Sequence, residues 1–391
     1  MRVLQLTHKP TLPLIDGGCI AMHQITQSLI QNKVEVDVLT IATPKHPFQK
    51  DLYTSFNAKA AFVHTTIQPF KAFRQSFKAQ PYILNRFESK DFEALIIDTL
   101  KNNTYDIIHF ESLYTTPYVA IVKKYSNAKL VYRPHNVEHH IWEANAALEK
   151  NTFKKAYLVR MAKQLKKVEE TTPALFDAIV PISATDETFF NTNFPSTPIK
   201  TISIGIDTPA YSTNDNHSSF FHIGAMDWLP NQQGLDWFIE NVWKEFHAQH
   251  PNSSFELAGK SIGNKYAAYA NENIHNHGEV KSATDFMQAN GIMIVPLFSG
   301  SGIRVKILEA MALGKTVIAT AIAANGIPYT SEKDILIANT KEEFLSQLNK
   351  CVQDAAFVKS IGENAHQLIH KNFNINILGE NLVSFYQQII N

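Results

Sequence analysis

VPLFSGSGIRVKILEAMALGKTVIAT, residues 295–320, is the stretch whose reading decides the fold class. The short apolar run VPLF stops at Ser299, Gly300, Ser301 and Gly302. A segment with Ile307, Leu308 and Met311 on one helical stripe follows until Gly314, and TVIAT then opens a second apolar run. Strand, glycine-bearing loop, helix, glycine stop and strand again is the pattern of a parallel sheet. The spacing predicts a helix from Ile303. The loop glycines admit close backbone approach, and the helix start offers unpaired N–H groups. Arg304 and Lys306 stand beside it, so the segment suits an anion such as a diphosphate. Glu309 suits ribose hydroxyls, or a surface pair with Lys306 three residues earlier.

The same alternation extends in both directions. SSFFHIGAM, SSFELAGK and GIMIVPLF precede or form strands in the second half, with helical stretches at 232–249, 281–290 and 303–313. The first half offers RVLQLT, VEVDVLTI, DIIHFES, KLVYRPHN and AIVPIS, with an amphipathic segment from Ile20 to Gln31. Two α/β doubly wound parallel-sheet domains are therefore expected, with ligand loops at the carboxyl ends of strands. The Pro-, Ser-, Thr- and Asn-rich stretch around 195–215 reads as their connection.

Three further loops follow strands. In IDGG, Gly17 and Gly18 open a helix and are expected to turn with positive φ, either as a plain turn or to approach a phosphate or sugar. In YRPHNVEHH, residues 132–140, His135 can bond a sugar hydroxyl or move a proton. Asn136 suits a helix N-cap, and no Cys or H-E-x-x-H accompanies His135, His139 and His140 to make a zinc site. In FFHIGAMDWLPNQQGLDWF, residues 220–238, Gly224 lets a phosphate lie against the backbone, and Pro230-Asn231 is expected to close the loop before a helix. No full G-x-G-x-x-G is present, which weighs against a dehydrogenase.

Composition narrows the class. Lys and Arg total 36, as do Asp and Glu, and hydrophobic residues make up 45%, so each half can bury a core and disorder is excluded. Split after Thr185, the halves carry 23 basic against 16 acidic and 13 against 20, or +7 and −7. Cys19 and Cys351 lack metal-ligand spacing and fit a reducing compartment. No run approaches a membrane span and the first residues do not form a signal peptide, so a cytoplasmic location is expected. Residues 150–170 hold Lys150, Lys154, Lys155, Arg160, Lys163, Lys166 and Lys167, with Phe153, Tyr157, Met161, Leu165 and Val168 at helical spacing. That element either packs its apolar face or lies on anionic lipid at the inner face of the cell membrane. No nucleic-acid partner is expected.

SGSGIRVKILEAMALGKTVIAT resembles the donor-binding segment of GT-B glycosyltransferases of family four. ISIGID at 202–207, HIGAMDWLPN at 222–231, HGEV at 277–280, PHNVEHH at 134–140 and IDGG at 15–18 fall in the order such enzymes show. The resemblance implies two Rossmann-like domains facing a central cleft, at 1–200 for the acceptor and 201–372 for the donor, with a C-terminal helix at 373–391 returning to the first. It also implies retaining transfer of a hexose-type sugar from a nucleotide-sugar to a glycan or lipid-linked acceptor, with no cofactor and no metal. By the same resemblance Arg304 and Lys306 lie near the diphosphate, Glu309 on the ribose, and His135 beside the sugar. Gly17, Gly18, Gly224, Val280, Ser299, Gly300, Ser301, Gly302 and Ile303 complete the donor site. The family's paired glutamates are eight residues apart; Glu309 matches the second, and Ser301 stands where the first is expected. A sugar-nucleotide epimerase of the same fold and a non-catalytic binding subunit are the alternatives.

Overall fold

The structure is a computed structural model that describes residues 1–66, 80–207, 216–300 and 302–391. The chain divides into two compact units, Met1–Gly205 with Ile375–Asn391, and Ile206–Asn374.

The first unit holds a six-stranded sheet of β1 (Arg2–Thr7), β2 (Glu35–Ala42), β3 (Asn57–Phe62), β4 (Ile107–Glu111), β5 (Lys129–Arg133) and β6 (Ala178–Ile179), in the order β3-β2-β1-β4-β5-β6. Every pair is parallel; Leu4, for example, lies across from Asp37 on one side and Ile108 on the other. The second unit holds β7 (Ser219–Ile223), β8 (Ser254–Ala258), β9 (Ile274–Asn276), β10 (Ile292–Val295), β11 (Val317–Ala319) and β12 (Leu336–Ile337), in the order β12-β11-β10-β7-β8-β9. Counted within its own unit this is the same winding, and both are Rossmann-like. The order reverses between β1 and β4, and again between β7 and β10. Loops leaving the carboxyl ends of those four strands are where ligands of such sheets bind.

The inner strands read clearly because both faces are covered. β1, β4, β7 and β10 are buried along almost their whole length, which produces near-continuous apolar runs. β3, β9 and β12 were not legible in advance. NAKAAF in β3 is alanine-rich and alternately exposed, while β9 and β12 are three and two residues long. Such strands are set by their neighbours rather than by β-propensity.

Four local expectations are corrected. The helix after the Ser-Gly loop is Val305–Ala312, and Arg304 is its N-cap with extended φ of −87° and ψ of 94°, not a residue on its face. Pro230 and Asn231 lie inside the first turn of helix Leu229–Phe238, where proline's missing N–H costs nothing. Gly17 and Gly18 do not take positive φ; they are the first two residues of helix Gly17–Gln31, which Asp16 caps by accepting from the Cys19 amide. Asn136 is not the cap of helix Glu138–Leu148, which follows Val137. Glu169 takes the Glu138 and His139 amides there, at 2.6 and 2.9 Å.

Helix Ile375–Ile390 belongs to the first unit. Its Leu378, Leu382, Phe385 and Tyr386 enter the cluster of Ile25, Leu29 and Val36, and each such side chain contributes on the order of 1.5–3 kcal/mol by burial. Gly379 permits the approach, since a Cβ there would stand 2.6 Å from the Ser28 carbonyl oxygen. The basic element forms helix Thr152–Glu169, whose Met161 and Leu165 are buried and whose Tyr157 and Val168 pack against the same core. Phe153, expected on that stripe, is 88% exposed. Among the described residues no helix is long and apolar enough to cross a membrane.

Candidate active site

In the second unit the loops after β7 and β10 bring four expected residues together. Lys306 donates to the Ile223 carbonyl and to Asn231 Oδ1, both at 3.1 Å. Asn231 is held in turn by donating to the Ala225 carbonyl at 2.8 Å. Gly224 lies against this pair: a Cβ on it would meet Asn231 Nδ2 at 2.8 Å and Lys306 Nζ at 2.9 Å. A side chain at 224 would push the ends of both Asn231 and Lys306 aside. Arg304 stacks its guanidinium on Trp228, 5.0 Å from the ring centroid. Gly300, at φ +112°, leaves room for both, since a Cβ there would come within 2.6 Å of Arg304 Nη2. Two cations and a glycine-lined loop thus converge at one switch point.

Burial, with the neighbouring Arg304 charge adding to it, brings Lys306 down to about 7, and burial lowers Arg304 to about 10. An anion would relieve the mutual repulsion and restore the full charge. Glu309 is half-buried, burial raises its pKa, and its carboxylate has no hydrogen bond or ion pair among the described residues, which suits it to a diol. Ile303 is a core side chain lying against Gly326, so only its backbone can face a ligand. Ser299 is half-buried, and Gly302 takes φ +79° in the same loop. Val280 follows the Gly278 turn, whose carbonyl accepts from Gly259. No hydrogen bond ties Val280 to the Arg304–Lys306 pair among the described residues. Ser301 lies outside the described residues.

In the first unit His135 donates from Nε2 to Glu111 Oε2 at 2.6 Å. Glu111 is fully buried at the end of β4. Burial alone would raise it, but His109, His135 and Arg133 outweigh that and hold it down to about 2. An ionised carboxylate only accepts, so His135 carries a proton on Nε2, and its Nδ1 is left for a ligand hydroxyl. Gln5 Nε2 donates to the other Glu111 oxygen at 2.9 Å; His109 bonds the Tyr386 hydroxyl of the C-terminal helix through Nδ1, and its Nε2 lies 3.5 Å from that same Glu111 oxygen. Ser112, at φ +72°, follows directly and bonds His8 through its hydroxyl at 2.8 Å. Gly18 leaves space for Lys9, which reaches Asp16 at 2.6 Å; Gly17 beside it is exposed.

Two clusters bring metal-ligand atoms within 4.8 Å of one another among the described residues: Asp16, Cys19 and His46, and His139, His140 and Glu143. The Lys9 ammonium already sits on Asp16, and burial pushes the Cys19 thiol up to about 11; both oppose a cation. In the second cluster Glu169 occupies His139 Nδ1 at 2.7 Å.

The model of glycosyl transferases group 1 matches residues 217–354, and that of glycosyltransferase family 4 matches residues 15–209. The chain is a GT-B glycosyltransferase. An uncharacterized 44.6 kDa protein in the cps region of Klebsiella pneumoniae is 24% identical over 289 residues, covering 70% of this chain and 72% of the relative. HepE of Anabaena, solved in complex with UDP-glucose, aligns with a TM-score of 0.66 at 14% identity over 99% of this chain and 100% of that one. Sucrose-phosphate synthase of Thermosynechococcus elongatus aligns with a TM-score of 0.71 at 15% identity over 100% and 99%.

Sequence reading of this glycosyltransferase missed Asn231, Trp228 and Glu111. Asn231 is expected there only as part of a loop closure, and Trp228 is given no site role of its own in that loop. Glu111 closes a strand as an ordinary polar residue; a carboxylate at the carboxyl end of a switch-point strand was the available signal. The Lys306 value has a measurable consequence. The protonated amine is the form that attracts a diphosphate, so affinity for inorganic diphosphate is expected to be greatest below pH 7. Above it, affinity should fall by up to about tenfold per pH unit until the pKa of the complex is reached. Calorimetric titration from about pH 6 to about pH 9 reads this, and a flat profile would remove Lys306 from the diphosphate site.

Proposed function

We propose that this glycosyltransferase moves a hexose-type sugar from a nucleoside-diphosphate-sugar to a glycan or lipid-linked acceptor, with retention at the anomeric carbon. The convergence of Arg304 and Lys306 on a loop kept open by Gly224 and Gly300 carries the reading. As the bond from the anomeric carbon to the diphosphate breaks, negative charge grows on the departing phosphate, and the two cations stabilise it. This is the part a divalent cation plays in other transferases, and it supports a metal-independent reaction. The acceptor hydroxyl attacks from the leaving-group face, its oxygen bonds the anomeric carbon, and its proton passes to the departing phosphate oxygen. His135, oriented by Glu111, offers Nδ1 to a sugar hydroxyl. Ser301, where a carboxylate is expected, bears on which sugar is taken. The Klebsiella relative's cps region supports a place in surface-polysaccharide assembly at the cytoplasmic face of the membrane, and the exposed lysines of helix Thr152–Glu169 supply a basic surface for it.

Incubation with a panel of nucleoside-diphosphate-sugars in the absence of acceptor tests the reaction class. Slow release of free nucleoside diphosphate from one donor is expected. Interconversion of the sugar without release would mean an epimerase, and binding without turnover a non-catalytic subunit; either result overturns the proposal.

A further inference from the structure

A cavity of about 260 Å³ opens in the first unit beside β1, β2 and β4. Every segment that lines it leaves the carboxyl end of a strand or follows such a segment, which is the ligand end of this fold. One wall is aromatic. Phe87 and Tyr114 lie 4.9 Å apart, and His8 contacts Tyr114 at 5.3 Å. Burial keeps the His8 pKa well below its ordinary value, so this ring is neutral and belongs to the wall rather than to the charges.

The lysines and arginine of the lining are Lys9, Lys45 and Arg86, and no Asp or Glu lines the cavity among the described residues. Lys9 is matched by Asp16 at 2.6 Å, but Lys45 and Arg86 have no carboxylate within ion-pair distance among the described residues. Arg86 is fixed in place, since Nε and Nη2 both donate to the Thr65 carbonyl, the former at 2.8 Å. A guanidinium has five donors in one plane, so others remain for a ligand. Lys45 is exposed at the rim.

We infer that this cavity takes the acceptor, and that the acceptor is a sugar bearing an anionic group, a phosphate or a carboxylate, held by Arg86 and Lys45 with its ring against Phe87 and Tyr114. The inference rests on the transferase reading for the word acceptor, and on the cavity alone for the charge. A sugar-sized volume with one apolar wall and a few convergent polar groups is how small-ligand sites orient their ligands. A planar, preplaced guanidinium matches carboxylate and phosphate oxygens better than hydroxyls. A neutral acceptor would leave both Lys45 and Arg86 without a carboxylate partner among the described residues.

The test uses three probes with UDP present in excess to fill the donor site: methyl β-D-glucoside, methyl β-D-glucuronide and glucose 6-phosphate, measured by titration calorimetry. One or both charged probes should bind at least about tenfold more tightly than the neutral one, with the advantage shrinking at high salt. Lys45→Gln and Arg86→Gln should each remove most of it. The uronide and the phosphate arms tell the two anionic groups apart. Lys45 is exposed and makes no structural bond, so its variant stays informative if Arg86→Gln fails to fold. Equal binding of charged and neutral probes, no binding of any, or unchanged binding in Lys45→Gln overturns the inference. Release of nucleoside diphosphate by the unmodified protein is read separately. If release is absent while charged probes bind, the transferase reading fails and the anionic cavity stands.

Discussion

Replacing Arg304 by alanine is expected to lower kcat for sugar transfer by about 100- to 1,000-fold, the usual loss when a preplaced charge is removed from a developing anion. The guanidinium is positioned in advance by Trp228 and by the side-chain-free Gly300, so no reorganisation is needed as the diphosphate departs. The fold should tolerate the change, because the stacking contact is worth only about 0.5–1 kcal/mol. Lysine at 304 should recover part of the rate, since it restores charge without the planar fork. Single-turnover kinetics with the donor found by the panel, alongside circular dichroism, separates chemistry from folding. An unchanged rate would take Arg304 out of the mechanism.

Glu111→Ala is expected to destabilise the first unit by about 3–5 kcal/mol, the loss found when one member of a buried charge group is deleted. Arg133 is fully buried with its terminal nitrogens on the Ile202 and Ser203 carbonyls, and its Nε lies 3.7 Å from Glu111. Without the carboxylate that charge has no counter-ion, and His135 and Gln5 lose their acceptor. The effect has a pH window. The group is held at about 2 against an ordinary 4.5, so its contribution is complete above 4.5 and is lost as pH falls towards 2. The difference between parent and variant in urea unfolding should therefore be largest near neutrality and shrink in acid. A difference that stays constant with pH would mean the loss comes from packing rather than charge. Glu111→Gln, which keeps the volume, should fold better than the alanine variant yet transfer sugar more slowly than the parent, because an amide N–H there faces the His135 donor.

The four central strands and the ligand loop after β10 were legible because their signals are local. β1, β4, β7 and β10 are covered on both faces and read as apolar runs, and Arg304, Lys306 and Glu309 lie within six residues of one another. β3, β9 and β12 were not, since pairing with a neighbour, and no pattern of their own, holds them. Local motifs also misplaced details of backbone. Gly17 and Gly18 looked like a positive-φ turn, but the Asp16 cap makes helix cheaper there, and Glu169, thirty residues away, displaced Asn136 as the partner of a helix start.

The sequence by itself determined two parallel-sheet units and an anion-binding loop followed by a helix, because strand, loop and helix periods and the charges beside them are written within short windows. Tertiary structure alone decided what those residues are chemically. Lys306 becomes an amine of about 7 only when the fold buries it beside Arg304, where it reaches Ile223 and Asn231, 83 and 75 residues distant. His135 has a proton fixed on Nε2 only through Glu111, itself held by Gln5 106 residues away. Desolvation and long-range hydrogen bonds set these properties, and neither leaves a period in the chain.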